Sequence, residues 1–240
     1  MTGRIHSVQT MGTLDGPGVR LVIFMQGCPL RCAYCHNPDT WELSGGLEID
    51  LDSLKNKILR YRNYFGGDGG VTVSGGEPLL QAEFVRQIFS FCRENDIHTA
   101  LDTSGCFLND GVKNLLEYTD LCLLDFKFAN SEDYSRYTGG SFESTMNFLK
   151  ELDLRKIPVW LRSVIVQGVN DSQQMIGKIM ELKRDFSCIE KVELLPFRKI
   201  CMEKYEELGI EFPFKDLEET SNEYVKILNE NINNQKENGQ

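Results

Sequence analysis

The 240-residue sequence has no apolar run long enough to cross a bilayer. Its longest early run, Leu21-Val22-Ile23-Phe24-Met25, is short against the roughly 20 residues a span needs. Residues 1–9 lack the apolar core of a secretory signal, so a cytoplasmic protein is expected, with no membrane partner. A basic stripe is also missing. The net charge is −10, and residues 201–240 carry ten acids against four bases. A nucleic-acid backbone attracts the opposite balance, so no nucleic-acid partner is expected. Only residues 1–35 lean positive, with Arg4, Arg20 and Arg31 against Asp15. Finally, the eight cysteines gather only once. Cys92, Cys106, Cys122, Cys188 and Cys201 are scattered, and read as small buried residues or incidental thiols rather than disulfides.

The one gathered set is Gly27-Cys28-Pro29-Leu30-Arg31-Cys32-Ala33-Tyr34-Cys35-His36-Asn37, spaced C-x3-C-x2-C. Gaps this short let one loop fold three thiolates around a compact centre, which suits zinc or iron–sulfur chemistry. A structural zinc site needs a fourth ligand. His36 follows directly on Cys35, and adjacent residues rarely point at one metal. A [4Fe–4S] cluster held by three thiolates instead leaves one iron open to a small molecule, and is the preferred reading.

The rest of the chain alternates strands with helices. Residues 19–25 read as a buried strand after the turn Asp15-Gly16-Pro17-Gly18, which places the cysteine loop at the strand's C-terminal end. Further strands are expected at 71–74, 98–101, 121–124, 159–166 and 192–195. The helix faces between them include Leu51, Leu54 and Ile58 behind an Asp50 or Asp52 cap, and Met175, Ile179 and Leu182 behind an Asp171 cap. Six strand–helix units argue for an α/β fold with a parallel sheet and right-handed crossovers, an open partial (β/α)6 barrel in one domain over 1–240. A covering helix at about 216–228 and a frayed polar tail at 229–240 complete the expectation. Polar or glycine-rich residues collect at the C-terminal ends of five strands, where such folds build shared sites.

In order, Gly3-Arg4-Ile5-His6-Ser7, Asp15-Gly16-Pro17-Gly18-Val19-Arg20, the cysteine loop through Trp41, Ser74-Gly75-Gly76-Glu77, Leu101-Asp102-Thr103-Ser104-Gly105, Leu124-Asp125-Phe126-Lys127 and Glu193-Leu194-Leu195-Pro196 cover most of the chain. Together they resemble the radical S-adenosylmethionine (SAM) superfamily, in its family of pyruvate formate-lyase activating enzymes. A looser likeness runs on through Lys204-Tyr205-Glu206 and Leu208-Gly209.

The resemblance implies an oxidoreductase of anaerobic metabolism. Cys28, Cys32 and Cys35 would bind a [4Fe–4S] cluster, whose fourth iron is chelated by SAM. Reductive cleavage would yield a 5′-deoxyadenosyl radical that takes hydrogen from a glycine Cα of pyruvate formate-lyase. No side chain acts as the catalyst, because the cofactor carries the radical chemistry. Flavodoxin or ferredoxin would donate the electron, and the protein would be a monomer.

SAM would be held by Tyr34, His36, Asn37, Gly75, Gly76, Glu77, Asp125, Phe126, Lys127, Arg162 and Arg198. Tyr34 would read adenine through its backbone or simply pack as an aromatic, and His36 would line the pocket or serve structure. Gly75 and Gly76 would let the strand end approach the methionine, and Glu77 would hold the ammonium or lock the turn. Asp102, Thr103, Asp125 and the carbonyl of Leu123 would form a monovalent-cation site, or the two aspartates would be local caps. Lys127 and Arg162 would meet the SAM carboxylate, with Asp125 a second partner for Lys127. Asp15, Gly16 and Gly18 would offer exposed backbone to the incoming peptide. Arg198 stands where the family pattern has His, and could donate to the nucleoside but not accept. Two other functions stay open: activation of a different glycyl-radical enzyme, and a non-catalytic zinc or iron–sulfur binding module.

Overall fold

A computed structural model describes residues 1–234. Its frame is one eight-stranded sheet of β1 (Thr2–Gly12), β2 (Arg20–Met25), β3 (Leu47–Asp50), β4 (Gly70–Gly75), β5 (His98–Thr103), β6 (Leu121–Asp125), β7 (Val159–Ile165) and β8 (Ile189–Pro196). The spatial order is β3-β1-β2-β4-β5-β6-β7-β8. From β2 onward every pairing is parallel, as six alternating units require. The open partial barrel of radical SAM type expected from the sequence is therefore present. Two strands were not expected. β1 and β3 pair antiparallel at one edge of the sheet, and β1 carries Gly3, Arg4, His6 and Gln9 instead of a clean apolar alternation.

Helices α1 (Leu51–Tyr61), α2 (Ala82–Glu94), α3 (Asp110–Leu116), α4 (Ser131–Thr138), α5 (Phe142–Arg155) and α6 (Gln173–Asp185) connect the strands. Asp50 caps α1 by accepting from Ser53 N. For α6 the cap is Ser172, not Asp171, whose carboxylate instead accepts from Gly168 N and the Tyr224 hydroxyl. After β8 come α7 (Met202–Glu207) and α8 (Asn222–Asn234). The covering helix thus begins six residues later than expected: Leu217 precedes it, and 229–234, expected to fray, are helical. The remainder of the expected tail lies outside the described residues. No helix among them is long and apolar enough to cross a membrane.

The two faces of the parallel strands are chemically distinct, because side chains alternate along a strand. Leu21, Ile23 and Met25 of β2, Val71 and Val73 of β4, Leu101 of β5, Cys122 and Leu124 of β6 and Leu161 of β7 pack into the large core under the helices. The residues between them face inward. Ala100, Leu121 and Leu123 make a small apolar floor with Trp160, while Phe24, Ser74, Asp102, Asp125, Arg162, Val164 and Leu195, nearer the strands' C-terminal ends, line a cavity.

Candidate active site

The cavity has a volume of about 320 Å³, within the roughly 300–1,000 Å³ typical of small-molecule sites. Cys28, Cys32 and Cys35 all line it. The cysteine loop is braced from both sides. Arg31 N and Ala33 N donate to Thr138 O and Tyr137 O, carbonyls freed by the end of α4, each at 2.8 Å. On the opposite side Gly27 N donates to Thr40 O at 2.8 Å, and Tyr205 Oη to Cys35 O at 3.2 Å. Tyr34 packs against Phe128 and Phe214, with ring centroids 6.2 Å away in each case. These belong to an aromatic cluster with Phe197, Tyr205 and Phe212, assembled from segments far apart in sequence.

Burial pushes the Cys28 thiol up to about 12, with the Glu77 carboxylate adding to the rise, and Cys32 to about 11 against the Lys127 charge, which favours the thiolate. Among the described residues no three His, Cys, Asp or Glu groups converge as one metal ion demands. Three thiols spread around one cavity instead suit a multi-iron cluster, in which each thiolate takes its own iron.

The turn after β4 serves the protein's own backbone. A Cβ on Gly75, where φ is 108°, would lie 2.3 Å from Met25 N, and one on Gly76 would lie 2.2 Å from Gly27 O. Glu77 is 1% exposed. Its Oε1 accepts from Leu79 N (3.1 Å) and the Thr103 hydroxyl (2.5 Å), and its Oε2 from Ser104 N (3.1 Å) and the Ser104 hydroxyl (2.5 Å). Of the two expected roles, these bonds support locking the turn: the carboxylate ties the end of β4 to the end of β5.

Charged groups surround the cavity's inner wall. Lys127 Nζ pairs with Asp125 Oδ2 at 2.7 Å; burial opposes its charge, but Asp125 holds its pKa well above the ordinary lysine value. Asp102 accepts from the Ser74 hydroxyl at 2.7 Å and faces Arg162 at 3.7 Å. Burial raises the Asp102 carboxyl to about 6, which Arg162 opposes and Asp125 reinforces. Arg162 Nε and the Tyr34 hydroxyl are buried without a hydrogen-bond partner, and both residues line the cavity. Arg162 Nε lies 3.7 Å from Glu193 Oε2, so the Arg162 charge is shared between Asp102 and Glu193.

Other expected residues lie elsewhere. Phe126 is in the core against Phe142, away from the cavity wall. Leu123 belongs to the apolar floor, and Thr103, although it lines the cavity, already donates its hydroxyl to Glu77 and accepts from Gly105 N. The Arg198 guanidinium turns away, to Thr220 O (2.9 Å) just ahead of α8 and to Asn222 Oδ1 (2.5 Å) at its first residue. Its backbone carbonyl is what bears on the site, bonding His36 Nε2 at 2.9 Å. Of residues 15–18, only Asp15 reaches the cavity. Gly16 is buried over Arg20 and Thr72, and the Asp15 and Pro17 carbonyls accept from Thr72 and Arg20, whereas Gly18 is exposed, so within this turn Gly18 is the expected residue left open to a peptide.

Sequence reasoning missed Phe24, Leu30, Ser74, Ser104, Val164 and Leu195 on the cavity wall. The period of two would have found several of them: Ser74 is two residues beyond inward-facing Thr72, and Val164 two beyond Arg162.

A radical SAM superfamily model matches residues 22–180, the span from β2 to α6 that builds the cavity. This chain belongs to the radical SAM superfamily. As a radical SAM protein its cofactors are a [4Fe–4S] cluster and SAM, and the three cysteines with the cationic Lys127 and Arg162 on the cavity wall fit both. Among its relatives, the pyruvate formate-lyase-activating enzyme of Clostridium pasteurianum is 44% identical over 227 residues, 94% of this chain and 95% of that protein. The enzyme of the same name from Staphylococcus aureus is 42% identical over 97% of this chain and 96% of its own length. Solved radical SAM folds agree. A domain of a pyruvate-formate lyase-activating enzyme from Bacteroides vulgatus superposes with TM-score 0.56 at 24% identity, covering 70% of this chain and 94% of that one. SuiB of Streptococcus suis, bound to SAM, reaches TM-score 0.68 at 16% identity over 91% of this chain and 47% of its own.

Proposed function

We propose that this radical SAM protein activates pyruvate formate-lyase under anaerobic conditions by forming a glycyl radical on it. The observation that carries the reading is the placing of three cysteine thiols, four acids, Lys127 and Arg162 around one cavity. The family likeness, 42–44% identity along nearly the whole length to proteins bearing that activity in their names, directs it to this substrate. Held by Cys28, Cys32 and Cys35, a reduced cluster would supply the electron for SAM cleavage and so the means of removing the glycine Cα hydrogen.

The chain's own residues bind and orient. Cys28, Cys32 and Cys35 hold three irons, and the aromatic cluster behind Tyr34 excludes water from the loop. Lys127 and Arg162, both on the cavity wall, receive the SAM carboxylate. His36 and Asn37 meet the nucleoside side of the cavity, and the Asp102–Asp125 end of the wall takes a monovalent cation. Asp15 faces the incoming peptide. A cytoplasmic monomer drawing electrons from flavodoxin or ferredoxin completes the proposal.

The test is electron paramagnetic resonance on pyruvate formate-lyase incubated anaerobically with reconstituted protein, reductant and SAM. The expected result is a doublet that collapses when the glycine Cα is deuterated. A radical formed only on another glycyl-radical enzyme would overturn the substrate and keep the chemistry.

A further inference from the structure

Two segments matching the family pattern, the one containing His6 and the one containing Lys204-Tyr205, take no part in the cavity wall. They meet at the turn that follows the third cysteine. Lys204 Nζ, on α7, donates to Asn37 Oδ1 at 2.9 Å and pairs with Asp39 Oδ2 at 2.9 Å. His6 Nε2, on β1, reaches the same Asp39 oxygen at 3.0 Å. The neighbouring Tyr205 hydroxyl holds Cys35 O. Residues 35–39 are thereby gripped from two elements, and α7 lies beyond the 22–180 span of the superfamily match.

The chemistry of the Lys204–Asn37 contact is one-directional. An ammonium only donates, so it must face the carboxamide oxygen, and this settles which end of Asn37 points where. The Asn37 NH2 makes no hydrogen bond within the described protein, and Asn37 lines the cavity. We propose that Lys204 is a positioning residue for SAM binding: it turns the Asn37 carboxamide so that its two N–H donors face a ligand acceptor. Asp39 holds the Lys204 ammonium in place by ion pairing, and His6 braces that carboxylate. This rests on the reading of the cavity as the SAM site. The ligand group that Asn37 meets is an acceptor, a ribose oxygen or an adenine ring nitrogen, since an NH2 group cannot accept.

The test is SAM affinity by equilibrium dialysis on anaerobically reconstituted protein, with iron content, cluster spectrum and thermal midpoint followed alongside. Lys204→Ala is expected to weaken SAM binding about tenfold and raise KM more than it lowers kcat. Iron content should not change. Lys204→Arg, which keeps a donor to Asn37 and a charge for Asp39, should restore most of the affinity. Asn37→Asp keeps the partner of Lys204 but has no donor, and should bind SAM as poorly as Lys204→Ala while unfolding at or above the wild-type temperature. In an Asn37→Ala background, Lys204→Ala should cost no further affinity. Additive losses in that double variant, or wild-type SAM affinity in Lys204→Ala, would overturn the proposal. A loss of affinity matched by equal loss of iron, and not restored by arginine, would also overturn it in favour of a purely structural role. Failure of the wild-type protein to bind SAM at all would instead refute the reading of the cavity.

Discussion

Replacing Glu77 by glutamine exchanges one carboxylate oxygen for an NH2 group at a site where both oxygens accept two hydrogen bonds each. Leu79 N and the Thr103 hydroxyl meet Oε1, and Ser104 N and the Ser104 hydroxyl meet Oε2. Whichever way the new amide turns, its NH2 faces one backbone N–H and one hydroxyl. The hydroxyl can rotate to another acceptor, but the backbone donor cannot. Glu77 is 1% exposed, so water does not replace the lost acceptor. One stranded buried donor costs about 1–3 kcal/mol. At about 2–4 °C per kcal/mol for a chain of this size, the thermal midpoint should fall by roughly 2–12 °C. Glu77→Ala strands all four donors and should cost about 4 kcal/mol or more. Thermal unfolding by circular dichroism under anaerobic conditions reads the first effect, and SAM affinity measured well below the midpoint reads the second. If the carboxylate serves the turn, Glu77→Gln keeps its SAM affinity within about threefold, a difference under 1 kcal/mol. An unchanged midpoint with a large loss of SAM affinity would refute this and return Glu77 to the SAM ammonium.

Cys28→Ala, Cys32→Ala and Cys35→Ala should each abolish a stable four-iron cluster by iron and sulfide analysis, while Cys106→Ala and Cys188→Ala leave it intact; loss in either of the latter would contradict the ligand assignment. Arg198→Ala removes the bonds to Thr220 and Asn222 and should lower stability by about 1–3 kcal/mol with SAM affinity unchanged, since the backbone carbonyl that holds His36 remains. A tenfold loss of SAM affinity would place the guanidinium at the ligand after all. Asp102, raised by burial from 3.8 to about 6, keeps its proton in the folded state where the unfolded chain has released it. Its contribution to apoprotein stability therefore falls as pH rises from about 4 to about 6, the window between the unfolded and folded values. Asp102→Asn should remove that slope from denaturant midpoints measured at pH 4 to 7, and an identical pH dependence in wild type and variant would refute it.

The sequence by itself determined the kind of protein. Local spacing sufficed wherever the chemistry is local: C-x3-C-x2-C for the cluster loop, apolar and β-branched runs for the six parallel strands, and Asp50 for the start of α1. It also placed Lys127 within reach of Asp125, because two residues along an extended chain return to the same face. β1 was not legible, since glycine, charge and amide interrupt its pattern and its strand character comes from pairing with β2 and β3.

Tertiary structure alone decided how the polar groups divide their bonds. Glu77, Thr103 and Arg198 each carry side chains able to meet a ligand, yet each is saturated or turned away by partners 22 to 27 residues distant. Conversely, Lys204 reaches back 167 residues to Asn37, and Tyr205 reaches back 170 to Cys35. A hydrogen bond is made with whatever the fold brings within about 3 Å. The residue types establish what a side chain can donate or accept, and the packing of distant segments settles whether that capacity is spent on the protein or left facing the cavity.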